Sequence, residues 1–279
     1  MKICDLHTHS IYSDGTNTPK EIIDLAIEAG LSAVALCDHN TVDGNSELLE
    51  YAKGKDILAI SGIEVSTLYY GKELHILGLF VPQNSFNDIR NKVAYYDELK
   101  EKSNIELAES LCKGGYKIDY NAMKAQTPKG HINRAHNASE LVKMGYAKTN
   151  QNAFETILKP NGGFYIPPLR FPALEAVSFL KEVGAVPVFA HPFLSADYEL
   201  INRFISESKP LGLAGIEVYY SEYSEETTAL SIELAEKYSV VKSGGSDFHG
   251  DNKPHIKLGV GRGNLEVPFD AVQNLLKSI

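Results

Sequence analysis

The apolar positions of the chain fall into two alternating rhythms. Short, continuous, often β-branched runs recur, and most of them end in polar residues able to do chemistry. Lys2–Leu6 runs into His7-Thr8-His9, Ala33–Cys37 into Asp38-His39, Ile57–Ile63 into Glu64, and Val186–Ala190 into His191-Pro192. Leu74–Phe80 contains His75, Gly215–Val218 contains Glu217, and Ser239–Lys242 leads into Gly244-Gly245-Ser246-Asp247-Phe248-His249. Runs of this kind read as buried strands of a parallel sheet. Helical spacings lie between them. Thr18-Pro19-Lys20-Glu21 offers an N-cap, a proline at the first helical position and an acidic first turn; Ile22, Ile23, Leu25, Ala26 and Ala29 follow at helical intervals, and Gly30 is a stop. Leu174–Val183 ends at Gly184 in the same way, and Thr227–Tyr238 is a third helix. Strand–helix alternation predicts an α/β fold. Polar residues gathered at strand ends suit a barrel, whose active site lies at the C-terminal face of its strands.

The rhythm breaks between Pro82 and Pro168. Asn87–Gly114, Asn133–Met144 and Asn150–Leu158 are helical in pattern with no strand among them, and the stretch closes in the turn-rich Lys159-Pro160-Asn161-Gly162-Gly163. We therefore expect a barrel built from residues 1–81 and 169–279, with a helical insertion at 82–168.

Composition narrows the classes. With 279 residues, 43% of them hydrophobic, the chain suits one large domain or a domain carrying an insertion. No apolar run approaches the roughly 18–20 residues of a bilayer span, and Met1-Lys2-Ile3-Cys4-Asp5 does not resemble a signal peptide, so a cytoplasmic protein is expected. Three cysteines (Cys4, Cys37, Cys112) with no CxxC pair argue against a disulfide framework or a thiolate zinc site. The net charge of −9 argues against a general duplex nucleic-acid surface. An acidic chain can still bind phosphate where cations concentrate in one cleft, and bound metal ions would supply them.

Six of the nine histidines (His7, His9, His39, His75, His191, His249) stand at or beside predicted strand ends, accompanied by Asp14, Asp38, Glu64 and Asp247. Imidazole and carboxylate without thiolate suit Mn²⁺, Zn²⁺ or Fe²⁺. His7 and His9 are two apart on a strand, so both point to one face; Asp247 and His249 repeat that spacing at the other end of the chain. Six histidines with Asp14, Glu64 and Asp247 exceed what one ion can use, which points to two or three ions, with Glu64 the natural bridge. Divalent ions would also neutralise the clustered carboxylates.

These motifs resemble the PHP family (polymerase and histidinol phosphatase) of metal-dependent phosphoesterases. The match runs in order along nearly the whole chain: Asp5-Leu6-His7-Thr8-His9-Ser10, Ser13-Asp14-Gly15, Cys37-Asp38-His39-Asn40-Thr41, Gly62-Ile63-Glu64-Val65-Ser66, His75-Ile76-Leu77-Gly78, Ala190-His191-Pro192 and Gly245-Ser246-Asp247-Phe248-His249. The resemblance implies a distorted (β/α)₇ TIM-like barrel with a trinuclear site, Mn²⁺ foremost. It implies one ion on His7, His9, Glu64 and Asp247, a second on Asp14, His39 and His249, and a third on Glu64, His75 and His191. Asp14 and His39 would also meet substrate, and Asp38 would orient a histidine. The stretch His131-Ile132-Asn133-Arg134-Ala135-His136 and the later Gly163-Phe164-Tyr165-Ile166-Pro167 resemble a subgroup acting on 3',5'-nucleoside bisphosphates and short RNA ends. There Arg134 and His136 would grip substrate phosphate, Arg134 through its two-pronged donor geometry. Lys100 and Lys102 stand where that subgroup has arginines, and Pro168-Leu169-Arg170 where it has a His-Trp-like element.

The expectation is a phosphate-monoester hydrolase in which a hydroxide held between ions attacks phosphorus in line. The general acid stays open among His249, Asp38 and His136. Histidinol phosphate, another small phosphate ester, or the 5' end of a short oligonucleotide are alternative substrates. A metal-dependent amidohydrolase needing a bridging lysine, with Lys242 the nearest candidate, and a non-catalytic scaffold are less favoured. Glu217 reads as structural or supporting, Gly259-Val260-Gly261-Arg262-Gly263 as a turn, and Glu222–Glu226 as a solvated helix start.

Overall fold

The computed structural model describes residues 2–126, 134–159, 163–164 and 169–278, apart from the side chains of Gln126, Arg134 and Ala135. His131, the Arg134 side chain, Pro160–Gly162 and Tyr165–Pro168 therefore lie outside the described residues. The chain divides into two compact units, 1–91 with 171–279, and 92–170.

The first unit is built on eight strands: β1 (Ile3–Thr8), β2 (Ala33–Leu36), β3 (Leu58–Tyr69), β4 (Lys72–Leu79), β5 (Val186–Phe189), β6 (Gly215–Tyr220), β7 (Val241–Gly245) and the two-residue β8 (Val267–Pro268). Their order in the sheet is β7-β6-β5-β4-β3-β2-β1-β8. The ring all but closes where residues just after β7 meet β1. The Asp247 amide donates to His7 O at 2.9 Å, the His9 amide donates to Phe248 O at 2.9 Å, and Thr8 bridges Phe248 in parallel. The result is the expected barrel-shaped α/β fold, with two departures from an all-parallel sheet, the first being the short β8, which runs antiparallel to β1. The second is β4, which runs antiparallel to both β3 and β5. No crossover helix separates β3 from β4. Instead Tyr70 and Gly71, with φ of 45° and 79°, make a two-residue turn whose twist suits a hairpin.

Helices α1 (Pro19–Glu28) and α2 (Asn45–Tyr51) follow β1 and β2; α3 (Phe86–Lys113) leads the chain out of this unit; α4 (Tyr120–Gln126), α5 (Arg134–Lys143) and α6 (Asn150–Thr156) belong to the second. The chain returns through α7 (Ala173–Glu182), α8 (Pro192–Ser195), α9 (Tyr198–Ser208), α10 (Glu225–Tyr238) and α11 (Asp270–Leu276). The Thr18 signal forms as expected. Its hydroxyl accepts from the Glu21 amide and its own amide donates to the Glu21 carboxylate, a reciprocal cap worth roughly 1 kcal/mol.

Inside the barrel, Cys4, Leu6, Ala35, Cys37, Leu77 and Val188 pack together, all fully buried. Burial pushes both thiols well above their ordinary pKa, which suits core cysteines rather than ligands. The second unit has a core of its own, in which Leu107, Leu111, Leu141, Ala153 and Leu158 are buried. Among the described residues no helix is long and apolar enough to cross a membrane.

Candidate metal centre

The site begins at the end of β1. The period-two geometry of a strand sends His7 and His9 to one face, and both are fully buried. Thr8 points the other way and donates its hydroxyl to Ala35 O. The loop after β1 is braced by Asp38, which accepts from the Ser10 amide, the Ser10 hydroxyl and the Ser13 hydroxyl, each at 2.7 Å. Gly15 lies so close to this loop that a Cβ there would come within 2.4 Å of His9 O. Asp14 is thereby presented to the centre. Asp5 fastens the seam with the residues after β7: it accepts from the Ser246 amide and hydroxyl and from the Gly259 amide. Gly245 lies in that seam, where a Cβ would fall 2.4 Å from His7 Cβ. Two non-glycine residues of the site hold left-handed backbone, His191 at φ 27° and Asp247 at φ 57°. Strain of that sort persists only where surrounding structure enforces it.

Glu64, fully buried on β3, is the hub. Its Oε1 lies 2.8 Å from His75 Nδ1 and 2.9 Å from His191 Nε2. Its Oε2 lies 3.2 Å from His7 Nε2, 3.2 Å from His9 Nε2 and 3.1 Å from His39 Nδ1. Five imidazoles thus converge on one carboxylate. Asp247 Oδ1 sits 3.2 Å from His9 Nε2, and Asp14 Oδ1 sits 3.2 Å from His249 Nε2. Three sets of donor atoms are compact enough to hold an ion: His7, His9, Glu64 and Asp247; His9, Asp14, His39 and His249; and His39, Glu64 and His75. His191, expected in the third set, meets it through Glu64 Oε1.

Electrostatics show what such a cluster needs. Burial alone would drive the His9 ring down, but Asp247 and Glu64 overcome it and hold the pKa up at about 9. Burial is likewise outweighed at His75, where Glu64 lifts the ring to about 10. His7 is also raised, by Glu217 and Glu64 against burial. His39 goes the other way, to about 4, because burial prevails. Glu64, Asp14 and Asp247 are held below the usual carboxylate range by these rings, against the opposing effect of burial. Even so, hydrogen bonding leaves a remainder. His7 Nε2, both ring nitrogens of His9, His39 Nδ1, His191 Nδ1 and Glu64 Oε2 are buried without a hydrogen-bond partner. Orphaned polar atoms are rare and costly inside proteins. Here five are imidazole nitrogens and one is a carboxylate oxygen, so the donor set fits divalent ions of the Mn²⁺, Zn²⁺ and Fe²⁺ class.

All nine expected ligands meet in this cluster. Of the three candidate proton donors, Asp38 and His249 are each held by hydrogen bonds. Both oxygens of Asp38 are occupied by Ser10 and Ser13, so its place is that of a loop brace. His249 Nδ1 lies 2.8 Å from Asp247 O, a contact that fixes the proton on Nδ1 and leaves Nε2 facing Asp14. Lys242 pairs with Glu236 and is no bridge at the cluster. Lys100 on α3 and His136 on α5 are half-buried residues of the helical unit. Glu217, expected in a structural or supporting role, supports two of the expected ligands. Its carboxylate holds His7 Nδ1 at 3.1 Å and accepts the His191 amide at 2.8 Å, aiming His7 Nε2 at the centre. Tyr220, whose hydroxyl donates to Asp247 Oδ2 at 2.8 Å, was not anticipated. The available signal was a carboxylate inside the apolar run Gly215–Val218.

A barrel end that gathers nine imidazole and carboxylate side chains, several with buried donor atoms left unpartnered, is the kind of site a metal-dependent hydrolase uses. The PHP domain matches residues 5–166, more than half of the chain, and the chain belongs to the PHP family of metal-dependent phosphoesterases. It is 29% identical over 250 residues to a 5'-3' exoribonuclease of Haemophilus influenzae, covering 88% of this chain and 89% of that protein. It is 28% identical over 258 residues to a phosphoribosyl 1,2-cyclic phosphate 1,2-diphosphodiesterase of Eggerthella lenta, covering 90% and 97%. A 3',5'-nucleoside bisphosphate phosphatase of Chromobacterium violaceum is 29% identical over 251 residues, covering 89% and 88%. Among solved structures, a Bifidobacterium adolescentis protein assigned as a metal-dependent phosphoesterase superposes with a TM-score of 0.72 at 26% identity, over 99% of this chain and 96% of that one.

Proposed function

We propose that the chain hydrolyses a terminal phosphate monoester on a nucleotide, with a 3',5'-nucleoside bisphosphate as the preferred substrate. The observation that carries this is the buried, unpartnered donor set around Glu64, which suits a multi-ion centre of the kind that works on phosphoryl groups. The nucleotide is supported by likeness, at similar identity and coverage, to both a nucleoside bisphosphate phosphatase and an exoribonuclease. Two or three divalent ions, Mn²⁺ foremost, would supply an activated water and charge to balance the phosphoryl oxygens.

The protein's part is positioning. His7, His9, Asp14, His39, Glu64, His75, His191, Asp247 and His249 hold the ions. Glu217 keeps His7 in one tautomer, and the Asp247 carbonyl does the same for His249. Asp38 and Asp5 hold the loop and seam that carry His7, His9, Asp14, Asp247 and His249. Arg134 and His136 are assigned to substrate phosphate on their resemblance to the subgroup, and Lys100 in the place of one of its arginines. A second reading, trimming of short RNA from its 5' end, is favoured by the Haemophilus relative.

Phosphate release from a 3',5'-bisphosphate, a nucleoside monophosphate, histidinol phosphate and a 5'-phosphorylated trinucleotide, with Mn²⁺ added, separates these. Fastest turnover of the bisphosphate is expected. Preference for histidinol phosphate would overturn the nucleotide assignment, and full activity of protein shown by elemental analysis to be metal-free would overturn the mechanism.

A further inference from the structure

Lys253 stands at the edge of the cluster, and none of the roles above uses it. Its backbone is fixed. The turn before it, Gly250–Asn252, is tied to the loop that carries Asp14: the Asp251 amide donates to Thr16 Oγ1 at 2.9 Å, and Asn252 Nδ2 donates to Asp14 O at 2.7 Å. The Lys253 amide donates to Gly250 O, and Pro254 follows. A lysine's four-carbon stem can rotate about such an anchor. The Lys253 Nζ lies 2.7 Å from Asp247 Oδ2, and the side chain keeps 36% of its surface exposed while that of Asp247 keeps 7%.

Asp247 does not depend on that contact. Oδ2 also accepts from the buried Tyr220 hydroxyl at 2.8 Å, so it stays satisfied when the lysine leaves. Oδ1, on the other side of the carboxylate, faces His9 and His7. Two other basic residues nearby face a different carboxylate: Arg262 pairs with Glu222, and His255 Nε2 lies 3.9 Å from Glu222 Oε1. Once ions occupy the cluster, Asp247 shares its charge with them. An ammonium held beside them is then repelled unless an anion joins it. A phosphoryl group, with its non-bridging oxygens and double negative charge, answers that demand, and lysine binds phosphate as a mobile point charge.

We propose that Lys253 is a substrate-binding residue: its ammonium moves from Asp247 Oδ2 to a non-bridging oxygen of the phosphate being cleaved. The proposal deepens the phosphoesterase assignment and rests on it. The probe is inorganic phosphate, titrated calorimetrically into Mn²⁺-loaded wild type, Lys253→Met and Lys253→Arg, with metal content and steady-state kinetics measured alongside. Lys253→Met should keep its metal and weaken phosphate binding roughly ten- to a hundredfold, the worth of a charged hydrogen bond. KM should rise by a similar factor, with a smaller change in kcat, and Lys253→Arg should recover part of the loss. Unchanged phosphate affinity in Lys253→Met overturns the proposal, as does loss of metal, which would make the lysine a brace for Asp247. Wild type that neither binds phosphate nor cleaves any phosphoester fails at the broader assignment, a result distinct from either of those.

Discussion

Replacing Glu64 by glutamine keeps the shape of the hub and removes its charge. The carboxylate lies within 2.8 to 3.2 Å of five imidazoles, and it is common to two of the three compact donor sets. A single charge pair at about 4 Å in a medium of effective dielectric 20 is worth about 4 kcal/mol, close to a thousandfold in affinity. Mn²⁺ affinity, measured by competition with a fluorescent chelator, should therefore fall by at least roughly a thousandfold, and purified Glu64→Gln should carry less metal by elemental analysis. The metal-free variant offers an independent readout. With the charge gone, the His75 ring should titrate well below the value of about 10 that Glu64 imposes, which NMR of the imidazole protons follows directly. A variant that binds its full complement of Mn²⁺ with wild-type affinity would refute Glu64 as the hub.

Gly245→Ala should displace His7 by about 1 Å, since the new Cβ falls 2.4 Å from His7 Cβ and ordinary carbon contacts start near 3.5 Å; overpacking should cost about 1–3 kcal/mol in denaturant unfolding, and folded protein should lose metal, whereas wild-type metal content would contradict the close seam. The metal-free protein should grow less stable as pH rises from about 6.5 towards 10. His9 and His75 have folded pKa values of about 9 and 10, above the unfolded value of about 6.5, so their contribution is complete below 6.5 and lost as pH climbs through the folded values. Metal affinity should rise over the same interval because ions displace those protons, and thermal melts with and without Mn²⁺ would show the opposite slopes. Glu217→Gln should weaken metal binding roughly ten- to a hundredfold by loosening His7, with the barrel intact by circular dichroism. Arg134→Ala should raise KM more than it lowers kcat and leave metal content unchanged; an unaltered KM would remove it from substrate binding.

Much of the cluster was legible because its signals are local. His7-Thr8-His9 and Asp247-Phe248-His249 share the period-two spacing that places ligands on one side of an extended chain. Strand ends with imidazole or carboxylate recur often enough to mark the face of a barrel. What escaped depends on contacts that only the closed ring creates. Glu217 acts on His7, 210 residues away, and Asp5 acts on Ser246, 241 residues away. The β3–β4 hairpin escaped for a different reason. Its turn places Tyr70, a bulky residue, at positive φ where Asn or Asp would have announced it. Asp38 was legible as a site residue but not as a brace, because the serines that engage it are 25 and 28 residues back along the chain.

The seam between β1 and the residues following β7 also sets a schedule for synthesis. His7 and His9 leave the ribosome some 240 residues ahead of Asp247 and His249, the partners that complete their donor sets, with the entire helical unit emerging in between. A nascent chain ending before Asp247 has only one of the three donor sets complete, that of His39, Glu64 and His75. Filling of the two sets that share His9 would therefore wait for ring closure, and a ribosome stalled before Asp247 would hold a polypeptide with most of its imidazoles but with those two sets unfinished.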